Sequence, residues 1–333
     1  MRFLIYTPDG IKNRTRKGID MWKIDRASRC KGKVLKQNQI VIDTEAGNVK
    51  VEYLTFPALE ACGNVEHLFT TRVGGASEGI YSTMNLSYSR GDNPEHVLEN
   101  YKRIGQILGC DVEDMVASQQ THTTNIRVVS GLDRGKGVTK ELDYTDIDGL
   151  ITNEKGIALA CFYADCVPLY FVDKEHSAIG LAHSGWRGTV AGMGRCMVEA
   201  MEKKFGTKPE QLVVAIGPSI CQECYEVSED VANAFRELVL ENADILDEIN
   251  TSGIYQSNTN QIAEMIVSGK EAGKYQLDLW LANLIILRKA GVPLENISVT
   301  DVCTCHNAEY LHSHRASNGL RGNLAAFLML KKS

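Results

Sequence analysis

The stretch IALACFYADCVPLYFV, residues 157–172, contains two apolar runs that are separated by Asp165 and Cys166. Short apolar runs of this kind are typical of buried strands, and a strand that stops at polar residues commonly carries a functional group. A further apolar run leads into the segment AHSGWRG, residues 182–188, in which His183 lies at the strand end. The two segments therefore place a thiol and an imidazole at the ends of two predicted strands.

A third ligand candidate is His122, in the segment SQQTH that follows another strand-like run. A lone cysteine or histidine is more often a core side chain than a ligand. Here, however, Asp165 interrupts an apolar run and glycines flank the Trp-Arg pair after His183, which favours a functional site. Thiolate and imidazole match a borderline-soft cation, and three protein ligands leave one position open. His122, Cys166 and His183 therefore predict a catalytic zinc site.

Predicted strands alternate with predicted helices along the chain. Apolar side chains at three- and four-residue spacing indicate helices at residues 94–108, 188–205 and 277–290, and another helix begins after Ser228. The methionines of the second helix are predicted to be core residues rather than copper ligands. Strands are predicted at residues 67–71, 115–118, 126–129, 149–152, 157–163, 169–172, 178–182, 212–216 and 297–300. The mixture indicates the α+β class, with stacked mixed β-sheets flanked by helices.

The composition is typical of one large domain with a basic N-terminal extension. The chain has 333 residues and is 44% hydrophobic, which is ample for a core, and it contains no linker rich in Pro, Ser or Gly. Residues 1–40 carry many more lysines and arginines than acids. We therefore predict a peripheral extension at residues 1–40, of which residues 1–20 are dispensable, and a catalytic domain at residues 41–333.

Charge and cysteine usage exclude several classes of protein. The net charge of −6 argues against a nucleic-acid partner. The longest apolar stretch is too short to span a bilayer, and residues 1–20 lack the apolar core of a signal peptide. Ten cysteines in a chain of this size without a secretion signal indicate reduced thiols. We therefore predict a cytoplasmic protein that binds neither membrane nor nucleic acid.

Two further cysteine pairs, Cys221 with Cys224 and Cys303 with Cys305, resemble halves of a zinc site. Structural zinc sites usually need four ligands from paired turns, and each pair here lies in a different sequence context. A second metal site is therefore not predicted. A loop rich in Asn, Ser and Gly is expected to expose the histidines His306, His312 and His314.

Further motifs occur in order along the chain. They are FTTRVGG at residues 69–75, NLS at 85–87, GDNP at 91–94, DGLIT at 148–152, IGPSI at 216–220, CT at 303–304 and SHR at 313–315. Together with the segments above, they resemble the YfiH/YlmD family, also called laccase-domain or polyphenol-oxidase-like proteins, from about residue 53 to residue 330. The resemblance implies stacked mixed sheets, and it implies that His122, Cys166 and His183 bind a catalytic zinc.

The resemblance also implies a zinc-dependent enzyme of purine nucleosides. Family members are described as phosphorylases of adenosine, guanosine, inosine and 5′-methylthioadenosine, and as adenosine deaminases. Zinc lowers the pKa of a bound water, which allows attack on C6 of adenine. Phosphorolysis instead needs a cationic pocket for phosphate, and the candidates are Arg72, Arg187 and Arg315.

Several other residues receive roles at this predicted site. Asp165 adjoins Cys166 and is expected to orient a ligand histidine or to transfer a proton. Position in the family motifs implies contacts with base or ribose for Asn85, Gln120 and Asp148. The predicted catalytic residues are Cys166, His183, Asp165 and Arg72.

Two other functions remain open from the sequence. A multicopper polyphenol oxidase needs about ten histidines for its copper centres, whereas the chain has eight. Copper is therefore expected only as an adventitious occupant of the site. A Cys–His hydrolase, with Cys166 as nucleophile and His183 as base, is chemically allowed and would suit the peptidoglycan editing also attributed to family members. A zinc-bound thiolate is a poor nucleophile, however, so His122 as a third ligand favours metal catalysis.

Overall fold

The structure is a computed structural model that describes residues 34–44, 47–255 and 264–332. The strands in these ranges are β1 (Lys36–Thr44), β2 (Gly47–Thr55), β3 (Val65–Thr70), β4 (Met115–Ala117), β5 (Ile126–Val128), β6 (Gly149–Thr152), β7 (Ala158–Tyr163), β8 (Val167–Asp173), β9 (Ala178–Ser184), β10 (Leu212–Ile216), β11 (Glu226–Ser228), β12 (Ile266–Ser268), β13 (Lys274–Leu277), β14 (Ile297–Val299) and β15 (Leu324–Leu330). The helices are α1 (Pro57–Glu60), α2 (Pro94–Leu108), α3 (Trp186–Val190), α4 (Met193–Phe205), α5 (Glu229–Leu240), α6 (Ala243–Ser252) and α7 (Leu279–Lys289).

Most of these strands form two mixed sheets. The strand order of the first sheet is β1-β2-β3-β15-β7-β4, and that of the second sheet is β14-β10-β8-β9-β6-β5. Antiparallel pairs predominate, but β4 runs parallel to β7 and β5 runs parallel to β6. A smaller sheet, with the order β11-β13-β12, lies beside α5.

The two large sheets pack face to face and share an apolar core. Leu159 of the first sheet belongs to the same buried cluster as Val172 and Leu181 of the second. Hydrogen bonds also join the sheets, because the Tyr163 hydroxyl of β7 donates to the Ala182 carbonyl of β9 over 2.9 Å. Side chains that alternate along each strand thus fill the space between the sheets.

Helices cover the outer faces of both sheets. The buried side chains Val97 and Tyr101 of α2 pack on the first sheet. Met197 and Met201 of α4, together with Trp280 of α7, pack on the second sheet. The layers are therefore helix, sheet, sheet and helix, which confirms the predicted α+β fold with stacked mixed sheets flanked by helices. The methionines of α4 are core residues, as predicted.

The elements agree with the sequence where the apolar runs are long. The strands predicted at residues 149–152 and 212–216 coincide with β6 and β10, and the other predicted strands match within two residues at each end. The helix predicted at 188–205 is divided into α3 and α4, because Gly192 adopts a φ of 80° between them. The sequence analysis did not predict β1, β2, β15 or the small sheet.

The N-terminal prediction is only partly covered by the described residues. β1 begins at Lys36, so the first sheet starts on the N-terminal side of the boundary predicted at residue 40. Residues 1–33, including the segment 1–20 predicted to be dispensable, lie outside the described residues. Within the described ranges, no helix is long and apolar enough to cross a membrane.

Candidate active site

Cys166 lies where the chain passes from the first sheet to the second. β7 ends at Tyr163 in the first sheet, and β8, a strand of the second sheet, begins directly after Cys166. Asp165 in this connection has a φ of 87°, a left-handed conformation that lets the chain turn sharply. Pro168 of β8 pairs with His183 of β9. The neighbouring strand therefore brings His183 close to Cys166.

His122 belongs to the loop that follows β4, and one carboxylate holds this loop. Asp148 is fully buried, and its carboxylate accepts hydrogen bonds from the backbone amides of Thr121, His122 and Thr123, each over 3.0 Å. His122 has a φ of 67°, which is uncommon for a residue other than glycine. The three amide contacts stabilise this conformation, and Asp148 therefore positions the His122 loop.

The three predicted metal ligands converge. Their ligand atoms all lie within 4.8 Å of one another. Cys166 Sγ is 3.9 Å from His122 Nε2, and the rings of His122 and His183 are nearly perpendicular, with centroids 4.9 Å apart. His183 Nδ1 contacts Asp148 Oδ1 at 2.8 Å, so Nε2 is the ring nitrogen that remains for a metal. One thiolate and two imidazoles fit a single borderline-soft ion with an open coordination position.

Asp148 is the carboxylate that contacts His183, one of the predicted ligands. Burial alone would raise the pKa of Asp148, but hydrogen bonds from His183 and the loop amides lower it below its usual value. An ionised carboxylate behind a ligand histidine fixes both its tautomer and its ring orientation. The sequence analysis gave this orienting role to Asp165 and expected Asp148 to contact base or ribose. The geometry instead places Asp148 behind His183.

The charges in the cluster favour a thiolate. Burial alone would raise the pKa of Cys166, but the charge of His183 and a hydrogen bond with His122 lower it to about 6. Burial likewise opposes a charge on His183, whereas Cys166 and Asp148 raise the pKa of His183 to about 9. The thiolate is the form of cysteine that binds metals and also the form that attacks electrophiles. The metal and nucleophile hypotheses therefore both begin from this thiolate.

Gly185 allows the ligands to approach one another. A Cβ atom at this position would lie 2.6 Å from His122 Cδ2 and 3.2 Å from Cys166 Sγ. Gly185 has a φ of −73°, which any residue can adopt. Glycine is therefore required here by the lack of space and not by the backbone conformation.

A cavity of about 350 Å³ opens beside the three ligands. Much of its wall is apolar or aromatic, and the residues of this kind are Leu86, Tyr88, Tyr101, Leu142, Phe162 and Tyr163. Polar groups are contributed by Ser87, Ser118 and Asn323. Cavities of this size, with apolar walls and a few converging polar groups, are typical of small-molecule sites. The ligand cluster therefore faces a space that can hold a substrate.

Arg321 lines this cavity, and the sequence analysis did not identify it. Its Nη1 atom donates to the Gly322 carbonyl over 3.2 Å and to the Asn323 side chain. Its Nε atom is buried without a hydrogen-bond partner, as is Nε of Arg90. Burial and the charge of Arg90 lower the pKa of Arg321 to about 10. The signal in the sequence was an arginine followed by a glycine next to a strand: Arg321 precedes β15, as Arg187 follows β9.

Gln120 lines the cavity, and Asn85 supports its wall from behind. The Gln120 amide donates to the Phe162 carbonyl over 2.7 Å and accepts from the Phe162 amide over 2.6 Å, so it joins the end of β4 to β7. Asn85 is fully buried and accepts from the Asn323 amide over 2.9 Å. Asn85 thereby supports the segment that carries Arg321. Direct contact of either residue with base or ribose stays a prediction.

The three arginines predicted for phosphate are not among the residues that line this cavity. The guanidinium of Arg72 donates to the carbonyls of Ser82 and Ala308, each over 2.8 Å. Arg187 is exposed at the start of α3. Arg315 is also exposed, and its guanidinium donates to backbone carbonyls. Phosphate binding by any of the three stays a prediction.

Asp165 supports the Cys166 peptide from another direction. Its Oδ1 atom accepts from the Thr304 hydroxyl over 2.6 Å, and its Oδ2 atom accepts from the Arg315 amide over 2.7 Å. Its own carbonyl accepts from the Ile220 amide over 3.0 Å. Asp165 thus joins three separate segments beside the metal ligand. The proton transfer predicted for Asp165 stays a prediction.

The structure corrects two predictions about the remaining cysteines and histidines. Cys221, Cys224 and Cys303 lie in one cluster with His306, although the different sequence contexts of the two cysteine pairs argued against a second metal site. The loops after β10 and β14 meet in space, which sequence separation does not reveal. His312 was expected to be exposed, but it is only 1% exposed, and its ring packs closely against Gly322.

Comparison with known proteins agrees with this fold and site. A family model described as multi-copper polyphenol oxidoreductase laccase matches residues 66–331. Purine nucleoside phosphorylase YlmD of Bacillus subtilis is 35% identical over 266 residues, which cover 80% of this chain and 88% of that protein. Adenosine deaminase RL5, from an unknown prokaryotic organism, is 31% identical over 269 residues, which cover 80% of this chain and 94% of that protein.

A solved structure shows the same architecture. The crystal structure of the Bacillus licheniformis hypothetical protein YfiH superposes with a TM-score of 0.74 at 31% identity, covering 84% of this chain and 96% of that one. Stacked mixed sheets with a Cys/His cluster at their edge thus define the class of protein. The chain belongs to the YfiH/YlmD family, as its motifs predicted.

The family model is named after multicopper oxidases, but the chain has too few histidines for several copper centres. All eight histidines of the sequence lie in the described ranges. Among these residues, His122 and His183 share the cluster with Cys166, and His306 belongs to the separate cysteine cluster. A multicopper oxidase needs about ten histidines arranged around several coppers. The geometry therefore favours a single ion at the candidate active site.

Replacing Gly185 with alanine should weaken metal binding without unfolding the protein. The new Cβ would force His122 or Cys166 to move, and overpacking of this kind costs about 1–3 kcal/mol, or roughly 5- to 150-fold in metal affinity. Competition with a chromophoric chelator measures the affinity. Gly188→Ala is the matched control, because its Cβ would approach no atom closer than 3.3 Å. Equal metal affinity in the unmodified protein, Gly185→Ala and Gly188→Ala would contradict the steric argument.

Asp148→Asn and Asp165→Asn should have different effects on the metal. Asp148→Asn removes the charge behind His183, so we expect metal affinity to fall by about 10- to 100-fold. Asp165→Asn should retain the metal, because the Asp165 carboxylate contacts Thr304 and the Arg315 amide rather than a ligand histidine. Its turnover should fall, because these contacts support the peptide beside Cys166. Metal content and circular dichroism of both variants check this. The reverse pattern would assign the orienting role to Asp165.

Proposed function

We propose that this protein is a zinc-dependent enzyme of purine nucleosides. Its reactions are phosphorolysis of adenosine, guanosine, inosine and 5′-methylthioadenosine, and deamination of adenosine. One observation carries the proposal: the cluster of His122, Cys166 and His183 lies at a cavity that also presents Arg321. The names of the relatives from Bacillus subtilis and from the unknown prokaryote support it, because they describe these two kinds of enzyme.

Zinc is the metal that the donor set supports best. One thiolate and two imidazoles form a three-ligand set of the kind found in catalytic zinc sites. When bound there, zinc would supply a Lewis acid and lower the pKa of a water ligand. Copper has a higher intrinsic affinity for nitrogen and sulfur donors, so it can occupy the same ligands adventitiously. An oxidase activity would then reflect metal loading.

The walls of the cavity suit a purine base. Tyr88 stacks on Tyr101, with ring centroids 5.9 Å apart and an interplanar angle of 16°, so its ring is held in one orientation. Phe162 adds a second aromatic surface to the lining. A ring that is already fixed binds a planar group at a low entropy cost. The side chains of Ser87 and Asn323 offer hydrogen bonds to the base or the ribose.

Arg321 is the residue that we assign to phosphate. Its guanidinium is partly buried and lines the cavity, and its Nε donor lacks a partner. The nearby Arg90 adds a second positive charge, which lowers the pKa of Arg321 and would attract an anion. Guanidinium groups bind phosphate oxygens through charge-assisted hydrogen bonds. Asn85 acts as a positioning residue, because it holds Asn323 beside Arg321.

The state of the thiols favours a reducing compartment. The cysteines in the described ranges, including Cys166, are free thiols. Thiols persist in the cytoplasm, whereas oxidising compartments convert them to disulfides. We therefore assign the protein to the cytoplasm, where purine nucleosides and phosphate are both available.

Removing the metal should separate metal catalysis from a cysteine nucleophile. We expect dialysis against a strong chelator to abolish turnover of adenosine, and added zinc to restore it. Iodoacetamide treatment of the metal-free protein should prevent added zinc from restoring turnover, whereas the zinc-loaded protein should stay active, because a bound metal protects Cys166. Rates measured before and after each treatment test this. Full activity of the metal-free protein, followed by loss on alkylation, would identify Cys166 as a nucleophile.

Arg321→Met should suppress phosphorolysis more than deamination. Adenosine would be incubated with and without phosphate, and inosine, adenine and ribose 1-phosphate would be resolved by chromatography. Loss of hydrogen bonds to a charged group costs about 1.5–3 kcal/mol, so phosphate-dependent products should fall by about 10- to 150-fold. Inosine formation should change little, because phosphate takes no part in hydrolysis of the amino group.

Arg72→Ala is the comparison, because the sequence analysis assigned phosphate to Arg72. A selective loss of phosphorolysis in Arg72→Ala, with none in Arg321→Met, would reverse the assignment. Equal loss of both reactions in Arg321→Met would place Arg321 on the nucleoside. No turnover of any purine nucleoside by the zinc-loaded protein would contradict the proposed function, and the peptidoglycan-editing hydrolase would then be tested.

A further inference from the structure

Four side chains of the kinds that bind zinc meet outside the candidate active site. Cys221, Cys224, Cys303 and His306 each offer a ligand atom, and these atoms all lie within 4.8 Å of one another. Cys221 and Cys303 are 4% and 0% exposed, and Cys224 and His306 are partly buried. Three thiols and an imidazole form one of the standard ligand sets of structural zinc sites.

The backbone around the cluster prepares the sulfur atoms to be anionic. Cys303 Sγ accepts hydrogen bonds from the backbone amides of Cys221, over 3.3 Å, and His306, over 3.4 Å. Amides that point at a thiolate stabilise its charge. Cys221 and Cys224 are held close by a turn in which the Cys224 amide donates to the Cys221 carbonyl over 3.1 Å. The loops after β10 and β14 therefore contribute two ligands each, as in paired zinc-binding turns.

The distances between donors suit one tetrahedral ion. Zn–S and Zn–N bonds of about 2.3 Å and about 2.0 Å require neighbouring donors to lie about 3.5–3.8 Å apart. Cys221 Sγ lies 3.6 Å from His306 Nδ1, which is within this range. Cys224 Sγ contacts the other ring nitrogen, Nε2, at 3.2 Å, so Cys224 lies beside the ring that would carry the fourth donor. His306 Nε2 is also 3.8 Å from a carboxylate oxygen of Glu223. Binding through Nδ1 would leave Nε2 for Glu223, the usual arrangement around a ligand histidine.

We propose that Cys221, Cys224, Cys303 and His306 bind a second zinc ion with a structural role. Four protein ligands leave no open position, so this ion would not take part in the reaction. Three thiolates with Zn²⁺ carry a net charge of −1. The guanidinium of Arg315 balances that charge, because it donates to the carbonyls of Cys224 and Glu226 over 3.0 and 2.9 Å.

The second ion would stabilise the support of Cys166. Thr304 lies between Cys303 and His306 in the sequence, and its hydroxyl donates to the Asp165 carboxylate. The Ile220 amide donates to the Asp165 carbonyl. The Thr304 amide in turn donates to the Ser219 carbonyl over 3.0 Å. The loops that hold the second ion are therefore the loops that hold the peptide beside the first metal ligand.

Metal counting tests the proposal independently of any activity. Protein purified without chelator and dialysed against zinc should contain two zinc ions per chain by mass spectrometry. Cys166→Ala and Cys224→Ala should each contain one, and the double variant should contain none. Cys196→Ala, which removes a thiol from α4, should retain both ions. His306→Ala, at a half-buried ligand, provides a second test if Cys224→Ala does not fold.

Cobalt substitution identifies the ligands directly. In the Cys166→Ala background, added Co²⁺ should give the thiolate-to-cobalt absorption of a tetrahedral site, and Cys224→Ala should remove it. Chelation should lower the thermal unfolding midpoint of Cys166→Ala but not that of the double variant. Adding Cys305→Ala to the Cys166→Ala background should leave both the cobalt absorption and the effect of chelation unchanged, because Cys305 is outside the proposed ligand set.

Other outcomes overturn the proposal. One zinc per chain in the unmodified protein, absent from Cys166→Ala, would show that the cysteine cluster binds no metal. A disulfide between Cys221 and Cys224 in the purified protein, detected by peptide mass mapping, would show that the pair is redox-active instead. Loss of the second zinc in Cys305→Ala, with retention in His306→Ala, would contradict the ligand set.

Discussion

The buried carboxylate of Asp148 is the contact on which the candidate active site depends. It accepts a hydrogen bond from His183, which belongs to the second sheet. It also accepts hydrogen bonds from amides of the His122 loop, which follows strand β4 of the first sheet. A buried charge without such partners would be costly, so the carboxylate and its donors stabilise one another. The distance between the two histidines is therefore set by the packing of two sheets. The metal cluster is a property of the interface between the sheets and not of any single segment.

Much of the fold could be predicted, because the central strands are continuous apolar runs. β7, β8 and β9 are buried along nearly their whole length, and the sequence shows this directly. β15 was missed although it is fully buried, because its residues LAAFLML include leucine, alanine and methionine, which favour helices and give no strand signal. β1 was missed for the opposite reason, because it is a largely exposed edge strand rich in polar residues.

The site could be predicted as far as residue chemistry allows. His122, Cys166 and His183 were identified because their types suit one metal and each follows a strand. Asp148 and Arg321 received no such roles, because their function depends on which groups they contact across the fold. The cluster of Cys221 and Cys303 was rejected for the same reason, since the two residues are 82 positions apart and meet only through the arrangement of β10 and β14.

The position of β15 has a consequence for how the protein is made. β15 lies between β3 and β7, and it pairs with both, although more than 150 residues separate it from β7. During translation, the first sheet cannot close until residue 330 has left the ribosome. Until then β3 and β7 expose unpaired edges, which favour aggregation or chaperone binding. The predicted metal ligands at the sheet edge are therefore assembled after synthesis of this strand, and metal loading is expected to follow it.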